Sequence, residues 1–318
     1  VSDAATRASG TLWAIMNPAA KGYAATRRML ESACRDADLP EPVIVTTTPD
    51  ADGYPQAREA VAGGARTVVV AGGDGTVREA VRAVAGTGVE LGILPIGTAN
   101  LFAYNLRLRT RQPGLAVDRA LFSPARAVDV GWASWRDVDA EGRVGAPTPE
   151  RPFLVMAGLG YDAATVRATS PELKRYLGWL SYLASGSRHL LSRPLAMRVS
   201  LDNAPGRRLR TWTLLVANAG RIPGGIEVFP DAVPDDGVLD VLEVPLRKTA
   251  QWGGIAFAGL TRHRVDTTAL RYTRAKTLWA VPDDPAPLHL DGDIVGRVAD
   301  LRVRVQRGGL LVRTPETS

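Results

Sequence analysis

Residues 68–77 read VVVAGGDGTV, an apolar run that stops at Gly72-Gly73-Asp74-Gly75-Thr76. The three glycines of this turn put no Cβ in the way, so backbone N–H groups can close around phosphate oxygens. A helix starting there adds the positive end of its dipole. A tight turn that needs glycine only for its geometry is the plain alternative. Asp74 weighs against it, because a carboxylate beside a phosphate cradle repels the anion unless a cation lies between them. The combination points to a nucleotide carried with Mg²⁺. A similar turn, Gly97-Thr98-Ala99-Asn100, ends the run LGILPIGTAN at 91–100, and Asn17-Pro18-Ala19-Ala20-Lys21-Gly22 follows the strand-like Leu12–Met16.

Such turns need a scaffold that brings them to one edge. Val68, Val69 and Val70 are β-branched and uninterrupted by polar residues, as expected of a strand covered on both faces of a parallel sheet. Strands are expected at 12–16, 43–47, 67–71 and 91–95, alternating with helices near 23–37, 54–63, 77–85 and 113–122, with a further helix from Leu101. This alternation predicts a parallel sheet with helices on both sides, and ligands bind such sheets at the carboxyl ends of the strands. After Ala127 the rhythm changes to strands at 128–135, 153–158, 196–202, 209–217, 238–244, 270–280, 287–290 and 300–306. Residues 136–152 read as an exposed hairpin loop. The expected fold is thus α/β plus β: an N-terminal parallel α/β nucleotide-binding domain over 1–127 and a C-terminal β-rich, sandwich-like domain over 128–308. One helical insertion, 173–191, carries leucines at helical spacing with Trp179 and Tyr182. It is read as a core-packing amphipathic helix, with a membrane-interface or acyl-chain role as the sharper alternative.

Composition removes several classes. The lone Cys34 excludes an intrachain disulfide and a cysteine metal cluster, and His189, His263 and His289 make no ligand spacing. No run is long enough to cross a bilayer and the first residues lack a signal-peptide pattern, so a cytoplasmic protein is expected. The net charge of +6, from 39 basic against 33 acidic residues, suits an anionic membrane surface or simple solubility. The bases are dispersed without interleaved aromatics, so nucleic acid is not expected as a partner. Homodimerisation is left open.

The motifs at 17–18, 72–76 and 95–100, followed in order by Gly158-Leu159-Gly160-Tyr161-Asp162-Ala163, Pro230-Asp231-Ala232, Asp236-Gly237-Val238-Leu239-Asp240 and Asp291-Gly292-Asp293, resemble the diacylglycerol kinase catalytic-domain family. That family includes bacterial lipid kinases, sphingosine kinases and ceramide kinases. The resemblance implies the same two-domain split, with the last residues returning to the first domain; Gly309-Leu310-Leu311-Val312 is the candidate return. It also implies an ATP site in which Gly72, Gly73, Gly75 and Thr76 hold phosphates, Asn17, Pro18 and Lys21 border the nucleotide, and Gly97, Thr98 and Asn100 meet it from the opposite turn. A threonine among 46–48 completes the site, Thr48 being favoured by its offset from Gly53. Asp74, with Asp129 as a second candidate, would organise Mg²⁺.

Transfer to a lipid hydroxyl requires a base. By alignment with the family's Asp-Gly-Glu pattern Asp293 takes that position, one methylene shorter, with Asp291 as its support. A solvated hairpin end is the bland reading of the same residues. In bacterial relatives a structural Mg²⁺ is held by the counterpart of Asp236 and by backbone carbonyls that map to Val233 and Val238, although Asp-Gly is equally a stock turn dipeptide. Leu101 stands where many bacterial relatives have aspartate, which weakens the transfer of diacylglycerol specificity in particular. The expected activity is ATP-dependent phosphorylation of a membrane lipid, diacylglycerol or a sphingoid-like alcohol, by a protein bound peripherally at the inner face of the membrane. An NAD kinase, which shares GGDGT, and a non-catalytic nucleotide- or lipid-binding regulator are the alternatives.

Overall fold

The computed structural model describes residues 11–108, 112–160, 194–222, 226–244 and 270–315. The 173–191 insertion and residues 161–163 of the Gly158–Ala163 motif lie outside them. The chain divides into two units, one formed by residues up to Val130 together with those from Arg307 onward, the other by Gly131–Gln306. The chain passes between units twice, within its fifth and its last strand.

In the first unit, β1 (Thr11–Met16), β2 (Val43–Thr46), β3 (Ala65–Gly72) and β4 (Glu90–Pro95) form a parallel sheet in the order β2-β1-β3-β4. Val68, Val69 and Val70 sit between Trp13-Ala14-Ile15 and Leu91-Gly92-Ile93, fully buried. Their burial contributes roughly 1.5–3 kcal/mol per side chain, which is why an unbroken apolar run occupies the middle of the sheet. The helices are α1 (Tyr23–Asp36), α2 (Tyr54–Ala62), α3 (Asp74–Val84), α4 (Leu101–Asn105) and α5 (Pro113–Phe122).

Leu30 and Cys34 of α1 pack with Val117, Ala120 and Leu121 of α5 over Ala14, Met16, Val69 and Leu94. The α5 backbone lies so close that a Cβ at Gly92 would meet the Ala120 carbonyl oxygen at 2.5 Å. No helix of the described residues is long and apolar enough to cross a membrane.

The second unit is β-rich. It holds β5 (Ala125–Val138) from Gly131 on, β6 (Val144–Pro147), β7 (Arg151–Phe153), β8 (Met156–Gly160), β9 (Leu195–Leu201), β10 (Arg207–Thr211), β11 (Thr213–Ala217), β12 (Arg221–Ile222), β13 (Ile226–Glu227), β14 (Leu239–Glu243), β15 (Arg271–Ala275), β16 (Thr277–Pro282), β17 (Ala286–Leu290) and β18 (Asp293–Arg313) up to Gln306. One antiparallel run is β15-β14-β11-β8-β17-β18, and a second leads from β18 through β16 and β9 to β10. Met197, Leu278 and Val303 from the second run meet Leu159, Leu214 and Leu288 from the first in one core, giving a sandwich-like domain.

Several expected strand boundaries are corrected by this layering. The runs 209–217 and 270–280 each break, at Trp212 and Lys276, because the chain changes pairing partners there: β10 pairs β9 but β11 pairs β8 and β14, while β15 pairs β14 but β16 pairs β9 and β18. The strand expected at 300–306 is the middle of the 21-residue β18, and the 136–152 loop contains β6, an exposed strand paired back on β5. In the first unit the end of β18 joins the parallel sheet, Leu311 opposite Glu90 and Val312 opposite Leu91. Arg313 anchors this return through Glu90 at 2.6 Å and the Leu121 carbonyl.

Candidate active site

Helix α3 begins at Asp74, three residues earlier than its apolar periodicity predicts, because Gly73 is its extended N-cap residue and Asp74-Gly75-Thr76 form its first turn. The first-turn N–H groups have no carbonyl four residues back to receive them, so the GGDGT segment presents main-chain donors of the kind that can bind an anion. The Gly97 turn lies directly against it. The Gly72 carbonyl accepts both Ile96 and Gly97 N–H groups at 3.2 Å, and a Cβ on Gly97 would come within 2.4 Å of the Gly73 Cα. A Cβ on Gly72 would strike Thr76 at 2.7 Å. Here glycine serves close backbone approach.

Asn100, expected to touch nucleotide, organises its own turn. Its backbone is left-handed at φ 48°, its Oδ1 accepts the Gly97 N–H (3.1 Å), and its Nδ2 donates to the Pro95 (3.2 Å) and Gly97 (2.8 Å) carbonyls. Thr98 is exposed at the tip of the turn. The Phe102 N–H, in the first turn of α4, donates to Asp74 Oδ1 at 3.2 Å, so Asp74 ties one turn to the other. Asp129, the second candidate for Mg²⁺, is buried at 1% exposure and accepts the Gly308 N–H at 2.7 Å, holding the returning strand.

The Asn17 turn follows β1, the strand beside β3. Its backbone N–H donates to the Ala71 carbonyl at 2.9 Å, and its Oδ1 accepts the Ala19 N–H at 2.9 Å, with Pro18 and Lys21 exposed. Thr48 is exposed in a small turn closed by paired backbone hydrogen bonds with Ala51. Gln56, which sequence reasoning missed, pins this turn: its Nε2 donates to the Thr46 and Ala51 carbonyls at 2.9 and 3.0 Å from a buried position in α2. A polar side chain in the first turn of an otherwise small-residue helix was the available signal. Gly53 seats this segment on α3, since a Cβ there would lie 3.0 Å from the Thr76 carbonyl.

In the second unit, Asp291 and Gly292 are the two central residues of the β17–β18 hairpin, with φ 50° and 88°. Positive φ at both positions is what a tight two-residue hairpin turn requires, and Asp-Gly is a favoured pair for it. Yet Asp291 is not solvated. It is 7% exposed, and its carboxylate accepts the Leu154, Val155 and Met156 N–H groups at 2.8–3.2 Å. These successive N–H groups between β7 and β8 had no sequence signal, because the donors are main-chain. Asp293 opens β18 on the exposed side of the same turn. The bland expectation of a wholly solvated hairpin end therefore fails at Asp291.

Asp236 forms an Asp-Gly turn, accepting the Val238 N–H at 3.1 Å, and Val233 is exposed. Arg274 reaches into the same loop: its guanidinium lies 3.9 Å from Asp236, donates to Asp240 at 3.2 Å and donates to the Asp231 carbonyl at 2.8 Å. Burial pushes the Asp240 carboxyl above its usual range, with Arg274 pulling it back. A divalent ion on Asp236, Val233 and Val238 would share the loop with that guanidinium, a like charge. Among the described residues no group of three or more His, Cys, Asp or Glu gathers to hold a metal ion.

Comparison with known proteins agrees with this arrangement. Residues 11–133 match the diacylglycerol kinase catalytic domain, and 155–312 match the YegS C-terminal NAD kinase beta sandwich-like domain. A Pseudomonas fluorescens protein named "Probable lipid kinase YegS-like" is 30% identical over 276 residues, covering 82% of this chain and 81% of its own length. A Pseudomonas aeruginosa protein of the same name is 31% identical over 298 residues, covering 87% and 86%. Among solved structures, a diacylglycerol kinase from Bacillus anthracis str. Sterne superposes with a TM-score of 0.69 at 19% identity over 96% of this chain and 97% of that one. An NAD kinase from Archaeoglobus fulgidus in complex with ATP gives 0.54 at 11% identity, over 96% and 94%, a likeness of fold alone. With both family domains in order along the chain and relatives at 30% identity or more over four fifths of it, this protein belongs to the YegS-like family of lipid kinases.

Proposed function

We propose that the protein transfers the γ-phosphoryl group of ATP to a hydroxyl of a membrane lipid, diacylglycerol or a sphingoid-like alcohol, in a Mg²⁺-dependent reaction at an anionic membrane surface. The observation that carries the reading is the paired turn: the α3 N-terminus at Asp74–Thr76, locked to Gly97 by backbone contact, forms an anion cradle with a carboxylate in it. Phosphoryl transfer asks mainly for positioning and charge neutralisation, roles that suit this donor-rich turn and its carboxylate.

The first-turn N–H groups of α3 hold phosphate oxygens, while the Asn17–Lys21 turn and exposed Thr48 and Thr98 border the nucleotide. Asp74 would hold Mg²⁺, which suits one carboxylate supplemented by phosphate oxygens and water and would supply charge neutralisation for the transferred group. Asp293 takes the proton of the acceptor hydroxyl as its oxygen bonds to the γ-phosphorus and the bond to the β-phosphate oxygen breaks, releasing ADP. Asp291, held by three backbone N–H groups, fixes the turn from which Asp293 projects. Leu101 leaves the acceptor class open between diacylglycerol and sphingoid-like alcohols.

Purified protein given radiolabelled ATP, Mg²⁺ and a bacterial lipid extract should label a lipid, with NAD assayed in parallel. Label in NADP and none in lipid would make the enzyme an NAD kinase, and label in neither would leave a non-catalytic binding protein.

A further inference from the structure

One sheet face of the second unit combines charge and an aromatic in a way the phosphoryl-transfer chemistry does not use. In the run β10-β9-β16-β18 the side chains alternate strictly. Leu209, Met197, Val199, Leu278, Ala280 and Leu301 point into the core and are buried. The intervening residues face outward, and the register brings them side by side: Arg208 is opposite Arg198, Ser200 opposite Trp279, and Trp279 opposite Arg302. Trp279 is 46% exposed, with the Arg302 guanidinium 5.4 Å from its ring.

An exposed sheet face in water ordinarily mixes both signs of charge. Here the outward positions of these paired segments hold five arginines, at 198, 208, 210, 302 and 304, and no carboxylate. The nearby acids are engaged: Asp283 binds Arg208 at 2.6 Å, Glu150 binds Arg304 at 2.6 and 2.7 Å, Asp300, the next residue of outward parity in β18, is buried and binds Arg136 at 3.0 Å, and Asp202 at the end of β9 accepts the Lys276 and Thr277 N–H groups at 2.8 Å. Arg198, Arg210 and Arg302 are exposed and make no ion pair among the described residues.

We infer that this face, centred on Trp279 and the unpaired Arg198, Arg210 and Arg302, is the surface through which the protein docks on anionic lipid headgroups. Guanidinium groups pair with lipid phosphates in a planar, bidentate manner, and an indole ring inserts at the headgroup level with its N–H toward water. A twisted antiparallel sheet offers no helix for a nucleic-acid groove, and a single exposed indole offers no ladder for stacking successive bases. Charge complementarity thus selects the membrane. The inference rests on the lipid-kinase reading only for the location of the substrate; the docking itself is independent of turnover.

The test is co-sedimentation with vesicles of phosphatidylcholine alone and of phosphatidylcholine mixed with phosphatidylglycerol, at low and high salt. Wild-type protein should bind the mixed vesicles preferentially and release in salt. A triple variant, Arg198→Ser, Arg210→Ser and Arg302→Ser, should lose binding on the order of a hundredfold, from about one surface charge contribution per arginine. Trp279→Ser alone should lose less and retain the salt dependence. Both should keep ATP affinity and turnover on detergent-dispersed lipid. If the triple variant binds mixed vesicles as tightly as wild type, or if wild type binds neither vesicle, the docking assignment is overturned. Normal vesicle binding by a triple variant that has changed from dimer to monomer would assign the face to a second copy of the chain instead. Wild-type protein that binds mixed vesicles through this face but phosphorylates no lipid would overturn the kinase reading and leave the docking surface standing.

Discussion

Two of the turns in which this protein places aspartate beside glycine, one in each unit, work by different physics. In the first unit, Gly72 and Gly97 are required for what they lack: a Cβ at either would strike Thr76 or the Gly73 backbone. The groups proposed to bind phosphate there are main-chain N–H donors, and Asp74 is the side chain that ties the two turns through the Phe102 N–H. In the second unit, Gly292 is required for a backbone conformation, φ 88°, and a Cβ there would meet nothing within 4 Å. Its two flanking carboxylates are divided by burial, Asp291 bound by main-chain donors and Asp293 exposed. Glycine next to aspartate is therefore a statement about crowding in one place and about handedness in the other, and substitutions should separate the two.

The largest effect is expected at Asp293. Asp293→Asn should leave ATP affinity unchanged and lower turnover by roughly two to four orders of magnitude, the usual worth of a positioned base, while Asp293→Glu retains measurable activity. Steady-state kinetics on the accepted lipid, with nucleotide binding measured separately, checks this; normal turnover by Asp293→Asn would end its role as base.

Asp74→Asn isolates charge from structure, because the amide oxygen can still accept the Phe102 N–H. Turnover should fall by about two to three orders of magnitude with an unchanged melting temperature, as for loss of one electrostatic stabiliser of the transition state. Wild-type rates in the folded variant would show that the carboxylate acts only as a tie between turns.

Gly97→Ala tests crowding. Its Cβ would need space now held by the Gly73 Cα at 2.4 Å, so the two turns must part, and a misplacement of about 1 Å in a positioning element costs about a hundredfold in kcat/KM. Gly292→Ala, by contrast, should keep ATP affinity intact and act through the hairpin alone. Equal losses of ATP affinity in both variants would erase the distinction between the two turns.

Asp291→Ala should act mainly on stability. Removing the acceptor strands the Leu154, Val155 and Met156 N–H groups, at a cost of roughly 1–3 kcal/mol for each donor left without a partner. Thermal unfolding should show a clear drop in Tm, and a turnover loss larger than that of Asp293→Asn in still-folded protein would reverse the two roles. The smallest effect concerns the third Asp-Gly turn, at Asp236. With Arg274 already among its oxygens, chelation should leave the wild-type Tm unchanged. A chelator-induced drop in Tm would instead reveal a structural metal on Asp236, Val233 and Val238.

Much of the first unit was legible because its signals are local. A β-branched run announces a covered strand, and glycines at its end announce a turn that backbone must approach closely, so the parallel sheet and the residues of the cradle could be read directly. One local reading needed correction: helix α3 starts at Asp74, because its first turn, Asp74-Gly75-Thr76, carries no apolar periodicity. Asn100 also holds its own turn, since a left-handed asparagine can bond its neighbours' main chain.

The second unit was legible as β but not in its breaks. Trp212 and Lys276 mark places where strands change partners, and no residue type encodes a change of partner. The ordered motifs on the chain were sufficient to name the family and its lipid-kinase class. Three things required the folded chain: that Asp129 is buried against the returning strand, that Asp291 is bound by the β7–β8 main chain, and that Arg198, Trp279 and Arg302 share one face. Each depends on residues far apart in sequence meeting through strand pairing and main-chain hydrogen bonds, and those contacts leave no mark in the local run of side chains.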